Sequence, residues 1–306
     1  MKNNVIFDID LFVSGQLDAW ALANSNYAAL ENVERKVFDI DKYKIVVQYN
    51  PTRKISTAAN LSTQALAKRS CFLCSQNRPA EQISLPFYSK KGATYWVLVN
   101  PYPIFPHHLT IVNDEHQPQQ LLGRIADMAE LSELMPQMML FFNGAKCGAS
   151  APDHMHFQAS DKNLWPLITD FEQAEPFVLK NANNVTISIA KRLGRLIYKI
   201  QSTDASVVET ELKQIIAYHD VTDEKINVMM TFDNEMLTTY LVPRKNFRPW
   251  QYSASVDEQL LISPASVEVG GIFITPVKQH FDKITSDDIQ SVLNQVCFSP
   301  SECLKY

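Results

Sequence analysis

Hydrophobic and polar positions along the chain follow two periods, and the change of period separates helices from strands. Apolar residues recur about every 3.6 positions in four stretches, which predicts amphipathic helices. The predicted helices span residues 16–37, 118–134, 204–218 and 286–296. Short apolar runs that end at Pro, Asn or Gly predict strands instead. The predicted strands span residues 44–49, 94–100, 108–113, 138–143, 154–160, 184–190, 195–200, 225–232, 236–242 and 270–276.

The overall composition is that of a globular protein and argues against several classes of function. The chain has 306 residues, which suffices for one large domain or two smaller ones. A net charge of −5 argues against a partner that is a nucleic acid polymer. No apolar run is long enough for a membrane span, and the first residues lack the apolar core of a signal peptide. With an odd count of 5 cysteines, these features predict reduced thiols in the cytoplasm.

The chemically most informative segment is a pattern of two histidines and a glutamine near the middle of the chain. His154, His156 and Gln158 alternate, so on a strand their side chains share one face. An imidazole can attack phosphorus, and an amide can donate a hydrogen bond to the charge that develops. Two exposed histidines on a strand are the alternative. The small residues just before, including Ser150, favour the first interpretation because they let a phosphate approach backbone amides.

This segment resembles the active-site strand of the histidine-triad superfamily, in its transferase branch. That branch includes galactose-1-phosphate uridylyltransferase, diadenosine tetraphosphate phosphorylase and GDP-galactose phosphorylase. Hydrolases of the superfamily usually carry a third histidine where this chain has Gln158, whereas the transferases and phosphorylases carry glutamine. Asn143 matches a substrate-contacting asparagine of the uridylyltransferases. The resemblance extends over residues 44–296 and is closest at residues 143–160.

The resemblance implies an α+β fold of two histidine-triad-like halves, each an antiparallel sheet with helices packed on one face. Residues 1–160 would form the half that holds the active-site strand and a possible zinc site. Residues 161–306 would form a second half without the nucleophile. No sequence repeat between the halves is visible. A homodimer is a further expectation that rests on the resemblance alone.

The resemblance also implies a reaction. His156 would attack the α-phosphorus of a nucleotide-sugar or a dinucleoside polyphosphate and form a nucleotidyl-histidine, while Gln158 holds a non-bridging oxygen. Phosphate or a sugar phosphate would then accept the nucleotide, and no redox cofactor is needed. A zinc-stabilised nucleotide-binding protein without turnover and a nucleotide hydrolase of the same fold are the alternatives.

Two further residues are candidates for substrate contacts. Arg53 follows a predicted strand, and the resembled phosphorylases bring an arginine from a similar stretch to the substrate phosphates. Asn100 matches a ribose-contacting position after the first core strand of the superfamily. The alternatives are a solvated loop for Arg53 and a plain turn residue before Pro101 for Asn100.

Cysteines spaced C-x-x-C make a candidate metal site. Such a pair can also be a redox centre or two structural thiols, but a redox motif needs a helix start in a βαβ setting, which the pattern does not show. Certain uridylyltransferases combine a C-x-x-C, a histidine after the second core strand and the first histidine of H-x-H. The matching positions in this chain are Cys71, Cys74, His116 and His154. His107 and His108 compete for the third place, and we expect a structural zinc ion.

Overall fold

The computed structural model describes residues 8–305, and these residues form the α+β fold that the sequence predicts. The helices within them are α1 (Ile9–Ala19), α2 (Ala21–Glu31), α3 (Lys54–Thr57), α4 (Thr63–Lys68), α5 (Ile125–Leu134), α6 (Pro166–Gln173), α7 (Ala205–Tyr218), α8 (Ser266–Val269), α9 (Lys278–Lys283) and α10 (Ser286–Val296). The strands are β1 (Glu34–Ile40), β2 (Tyr43–Tyr49), β3 (Ser84–Tyr88), β4 (Thr94–Val99), β5 (His108–Asn113), β6 (Met138–Asn143), β7 (His156–Asp161), β8 (Pro176–Ala182), β9 (Val185–Ala190), β10 (Tyr198–Ser202), β11 (Ile226–Asp233), β12 (Met236–Pro243) and β13 (Ile272–Thr275).

A ten-stranded antiparallel sheet forms the centre of the molecule. Its strand order is β3-β4-β5-β7-β6-β11-β12-β10-β9-β8. The first five strands in the sheet and the last five, counted from the opposite edge, follow the same chain order, so one topology occurs twice. The two copies meet where β6 pairs with β11, with Asn143 opposite Asn227. The two similar halves thus share one continuous sheet, and the division of the chain into domains at residue 160 stays a prediction.

Alternating side chains of this sheet build two separate cores. Leu140 and Phe142 point into one core, which α5 and α7 cover. Met139 and Phe141 point to the opposite face, where α6, α10 and a smaller sheet of β1, β2 and β13 cover the second core. Period-2 alternation in a buried strand produces this two-sided packing. The sequence predicted helices on one face, and the structure adds the second layer.

Several element boundaries differ from the sequence prediction. The helix predicted over residues 16–37 breaks at Trp20, whose backbone is extended, and gives α1, α2 and then β1. Val37, which belongs to the predicted helical stripe, lies in β1 and is 59% exposed. The helix predicted from residue 118 begins only at Ile125. Strands β3 and β8 were not predicted, because an edge strand needs little apolar alternation and tolerates a proline such as Pro86.

Candidate active site and metal centre

His156 is the first residue of β7 and lines a cavity of about 570 Å³. Its Nδ1 donates a hydrogen bond to the backbone oxygen of His154 at 2.8 Å. Within residues 8–305, Nε2 of His156 has no protein partner, so this nitrogen is the one left for a ligand. Burial lowers the pKa of His156 to about 4, which keeps the ring neutral near neutral pH.

The orientation of the Gln158 amide is set by His108. The backbone N–H of Ile104 donates to Nδ1 of His108 at 3.2 Å, so the ring proton is on Nε2. That Nε2 donates to Oε1 of Gln158 at 3.0 Å. Burial, aided by the charge of Arg53, lowers the pKa of His108 to about 3 and keeps it neutral. The NH₂ group of Gln158 therefore faces away from His108, and the side chain lines the cavity.

The loop between β6 and β7 supplies backbone N–H groups to the same cavity. Gly148, Ser150 and Ala151 line it, and within the described chain their N–H groups bond to no protein acceptor. Gly148 has φ +111°, and a Cβ on it would lie 2.3 Å from the Cβ of Ala265. Only glycine meets both conditions without strain. Free N–H groups along a concave loop are a binding site for anions.

Gln119 holds this loop and β7 in place. Its Oε1 accepts the His156 N–H at 2.8 Å, and its Nε2 donates to the backbone oxygens of Asn143 and His156, each at 3.0 Å. The side chain is buried and joins the end of β6 to the start of β7. The sequence did not reveal this role, because a glutamine in a predicted amphipathic helix looks like a surface residue.

Arg53 and Asn100 reach the cavity as well. Nη1 of Arg53 donates to the Tyr102 backbone oxygen at 2.8 Å, and no carboxylate within residues 8–305 forms an ion pair with it. Burial lowers the pKa of Arg53 to about 10, against the opposing effect of Glu268, so the side chain stays charged. Asn100 accepts the Tyr102 N–H at 2.9 Å and donates to the Thr110 hydroxyl at 3.0 Å. Asn100 is therefore both a turn residue and a cavity residue.

One cavity thus collects all the residues that the sequence analysis assigned to catalysis or substrate binding. They are Arg53, Asn100, Asn143, Ser150, His156 and Gln158. Two charged residues that the sequence analysis missed also line it. Arg69 is ion-paired with Asp153, and the buried Glu268 comes from α8 in the other half of the chain. The missed residues carry no motif, since only the tertiary fold brings them to the cavity.

Cys71, Cys74, His116 and His154 form a cluster that can hold a metal ion. Their ligand atoms all lie within 4.8 Å of one another. Cys71 Sγ is 3.3 Å from His154 Nδ1, and Cys74 Sγ is 3.2 Å from His116 Nδ1. Sulfur and nitrogen ligands of a tetrahedral zinc ion lie about 3.5 Å apart, given Zn–S and Zn–N distances of about 2.3 and 2.0 Å. The residues therefore fit a tetrahedral ion.

The surroundings of the cluster also suit a metal. Nε2 of His154 lies 2.8 Å from the Asn113 backbone oxygen, the kind of support that orients metal-binding histidines. Burial by itself raises the pKa of the Cys71 thiol, but hydrogen bonds from His154 and from two backbone N–H groups outweigh it and lower the pKa to about 6. A thiolate is the form that binds metals.

The histidines of the pattern divide between the two sites, which corrects one prediction. His154 precedes β7 and turns toward the cysteines, so it does not share a face with His156 and Gln158. The competition for the third ligand position is also resolved. His107 bonds to Asp161, and His108 bonds to Gln158, so neither lies in the cluster.

Comparison with solved structures confirms the resemblance at the level of the fold. The chain is similar over nearly its whole length to the crystal structure of yeast Ap4A phosphorylase Apa2, with 15% identity and a TM-score of 0.60. The aligned region covers 92% of this chain and 98% of that one.

Two further structures of that enzyme match as well. The complex with Ap4A matches with 14% identity and a TM-score of 0.57, covering 97% and 99% of the two chains. The complex with AMP matches with 14% identity and a TM-score of 0.56, covering 91% and 96%. Residues 12–161 match the family model described as a domain of unknown function, DUF4922. No curated protein matches the chain significantly by sequence.

None of the helices within residues 8–305 combines the length and the apolar character needed to cross a bilayer.

Proposed function

We propose that the protein is a nucleotidyltransferase that acts through a nucleotidyl-histidine on His156. The observation that carries the proposal is the meeting of three features in one cavity. These are the unpartnered Nε2 of His156, the outward NH₂ group of Gln158 and the free N–H groups of Gly148, Ser150 and Ala151. A nucleophile beside several hydrogen-bond donors is what substitution at a phosphate requires.

In the first step, Nε2 of His156 forms a bond to the α-phosphorus of the substrate. The bond from phosphorus to the bridging oxygen breaks, and the leaving group departs as a phosphate with the electron pair. The imidazole becomes positively charged, and its Nδ1–H bond to the His154 backbone oxygen, at 2.8 Å, then stabilises that charge. Gln158 and the loop N–H groups donate to the non-bridging oxygens, and Arg53 adds a positive charge at the same cavity.

In the second step, an oxygen of inorganic phosphate or of a sugar phosphate attacks the same phosphorus. The bond from nitrogen to phosphorus breaks, and His156 returns to its neutral form. The phosphate released in the first step and the imidazole released in the second are both weak bases, so neither step needs a proton donor. This supports transfer rather than hydrolysis, because the amide of Gln158 cannot take a proton from water and its oxygen is already bonded to His108.

The substrate class that we propose is a nucleotide-sugar or a dinucleoside polyphosphate. The cavity of about 570 Å³ is large enough for a nucleotide and part of a second group. The likeness to an Ap4A phosphorylase over most of both chains supports the dinucleotide members of this class. A homodimer and a cytoplasmic location stay predictions.

We further propose that the four-residue cluster binds a zinc ion that has a structural role. Two thiolates and two imidazoles are the donor set of structural zinc sites, and all four positions are taken by protein groups. Such an ion would tie the segment before α5, through His116, to the cysteine loop and to the entry of β7 at His154. No step of the transfer depends on it.

The test is isolation and mapping of the covalent intermediate. The protein is incubated with nucleotide-sugars and dinucleoside polyphosphates that carry ³²P at the α-position, without an acceptor, then denatured in alkali and digested. We expect the label on His156, release by phosphate as a nucleoside diphosphate, and no labelling of His156→Gly. His107→Gln, a change outside the cavity, should keep the labelling.

Other outcomes separate the alternatives. Release of the label by water alone, at the rate seen with phosphate, would identify a hydrolase. Nucleotide binding without any label would identify a binding protein. A label on His154 would refute the assignment of the nucleophile.

A further inference from the structure

A buried chain of hydrogen bonds leads from the second half of the sheet to the active-site cavity. Arg244, which follows β12, is completely buried, and so is Asn227 on β11. Nη1 of Arg244 donates to Oδ1 of Asn227 at 2.5 Å. Nδ2 of Asn227 donates to Oδ1 of Asn143 at 2.9 Å. Asn143 ends β6 and lines the cavity beside His156.

The direction of every bond in this chain is determined. A guanidinium group can only donate, so the atom of Asn227 that faces Arg244 is its oxygen. The NH₂ group of Asn227 then faces Asn143 and also the backbone oxygen of Cys147, which is 2.8 Å away and can only accept. The atom of Asn143 that faces Asn227 is therefore its oxygen. The backbone N–H of Ser266 donates to that same oxygen at 2.7 Å, which agrees with this assignment.

The Asn143 side chain therefore presents its NH₂ group to the cavity. Its oxygen already accepts two hydrogen bonds, and within residues 8–305 its Nδ2 has no protein acceptor. In the cavity that His156 also lines, this group is a second amide donor besides Gln158. If the amide were reversed, it would turn an oxygen toward the negative charge of a phosphate.

A role limited to stability does not explain the amide at position 227. Arg244 donates from Nε, Nη1 and Nη2, and all its acceptors are neutral: Asn227 and the backbone oxygens of Pro264, Val296, Asn246 and Phe247. A buried arginine would be paired better by a carboxylate. An aspartate at position 227 would supply one, but it would have no N–H group for Asn143. Only a side chain that accepts a hydrogen bond from Arg244 and donates one to Asn143 determines which way the Asn143 amide points.

We propose that Asn227 and Arg244 are positioning residues of the nucleotide site, which fix the Asn143 amide so that its NH₂ group faces the substrate phosphate. The part about the substrate rests on the proposed function. The half of the sheet without a nucleophile would then act on the reaction through the β6–β11 pair, where Asn143 and Asn227 lie opposite each other.

The kinetic test uses Asn227→Asp. Its carboxylate would pair with Arg244, which offsets the lost hydrogen bonds to Asn143 and to the Cys147 backbone oxygen, so we expect the variant to fold and its melting temperature to change little. Asn143 would then face a carboxylate instead of an N–H group, which favours turning its NH₂ group toward position 227 and its oxygen toward the cavity, at the cost of the Ser266 hydrogen bond. The rate of labelling of His156 should fall at least tenfold. Asn143→Ala should reduce it about 10²-fold, as for loss of one transition-state donor. The double variant should be no slower than Asn143→Ala, because Asn227 acts only through Asn143.

Asn246→Asp is the matched control, since it makes the same change on an exposed side chain whose backbone oxygen accepts from the same Arg244. We expect its labelling rate to equal that of the unmodified protein. Multiplicative rate losses in the double variant, or an unchanged rate in Asn227→Asp, would overturn the proposal.

A second measurement uses the unmodified protein, so it requires neither turnover nor a variant that folds. Side-chain amide protons of the ¹⁵N-labelled protein are followed by NMR hydrogen exchange, without and with AMP. Asn227 protons should exchange slowly, because both are bonded, and Asn143 protons should exchange fast and become protected by AMP. Slow exchange at Asn143 in the free protein would refute the positioning role. If no compound labels His156 and AMP does not bind, the proposed function fails, while the exchange pattern of the free protein still decides the orientation of Asn143.

Discussion

Replacement of Gln158 by glutamate tests the orientation of the active-site amide most directly. The two side chains have the same shape, so one carboxylate oxygen can still accept from Nε2 of His108, as Oε1 of Gln158 does at 3.0 Å. The other oxygen takes the place of the NH₂ group and turns a negative charge toward the cavity, where the proposed reaction places the substrate phosphate. Gln158→Ala removes the donor without adding a charge.

The size of the effect follows from two contributions. Loss of one transition-state donor typically lowers the rate about 10²- to 10³-fold, and both variants lose it. Two like charges about 3 Å apart repel by about 5 kcal/mol at an effective dielectric constant of about 20. Gln158 is only half-buried, so screening reduces this to roughly 2–3 kcal/mol, or roughly another 10²-fold. Gln158→Glu should therefore be roughly 10⁴- to 10⁵-fold slower than the unmodified protein.

Stability should follow the opposite order. Gln158→Ala leaves the buried Nε2–H of His108 without an acceptor, which costs about 1–3 kcal/mol. Gln158→Glu keeps that acceptor. Compared with Gln158→Glu, we therefore expect Gln158→Ala to label His156 faster and to be less stable.

The assay compares the initial rate of His156 labelling with the midpoint of urea unfolding. Gln201→Glu, the same change on β10 and away from the cavity, should alter neither. If Gln158→Glu forms the adduct faster than Gln158→Ala, the carbonyl of Gln158 faces the substrate and the deduced orientation is wrong.

Three further predictions concern the metal, the cavity charge and the loop. Cys74→Ser should lose about one equivalent of zinc per chain, measured by plasma mass spectrometry, together with stability. Arg53→Ala should weaken nucleotide binding in calorimetry without unfolding the protein, and Arg53→Lys should not restore it, because only the guanidinium group binds two oxygens at once. Gly148→Ala should lower both stability and the labelling rate, because φ is +111° and a Cβ would lie 2.3 Å from the Cβ of Ala265.

Each of these has a matched control in the chain. Cys303→Ser changes a thiol outside the cluster and should keep the metal. Lys54→Ala removes the exposed neighbouring charge and should leave nucleotide binding unchanged. Gly92→Ala combines a φ of +92° with open space, so it should cost about 1 kcal/mol of strain without affecting labelling. The metal prediction is contradicted if the unmodified protein is fully stable without a metal. The charge prediction is contradicted if Arg53→Ala binds the nucleotide as well as the unmodified protein does. The loop prediction is contradicted if Gly148→Ala and Gly92→Ala lose stability and labelling rate to the same extent.

The residues of the candidate site were predictable where they lie close together in the sequence. Gln158 follows His156 by two positions on one strand, so strand geometry alone brings both side chains to one face. Asn143 ends the preceding strand β6, Ser150 lies in the loop that joins β6 to β7, and both reach the same cavity. Local geometry misplaced only His154, which precedes the strand and turns to the cysteines.

Residues whose importance depends on partners far along the chain were not predictable. Arg244, Lys245 and Arg248 form a local basic cluster whose pattern favours a solvated loop. Arg244 is nevertheless completely buried and bonded to five groups. Asn227 is one polar residue in an apolar strand, and Gln119 resembles a helix-surface residue. No period or motif marks such side chains, since the bonds from Arg244 to Asn227, from Asn227 to Asn143 and from Gln119 to two backbone oxygens join residues that are 17 to 84 positions apart.

The sequence by itself determined the strand and helix periods, the α+β class, the row of His156 and Gln158, and a cysteine pair suited to a metal. The tertiary structure decided how the halves join into one sheet through β6 and β11, and which way the amides of Asn143 and Gln158 point. The physical reason is that periodicity reports which face a side chain takes, a property of neighbouring residues. The direction of a hydrogen bond instead depends on which distant donor or acceptor the fold places opposite.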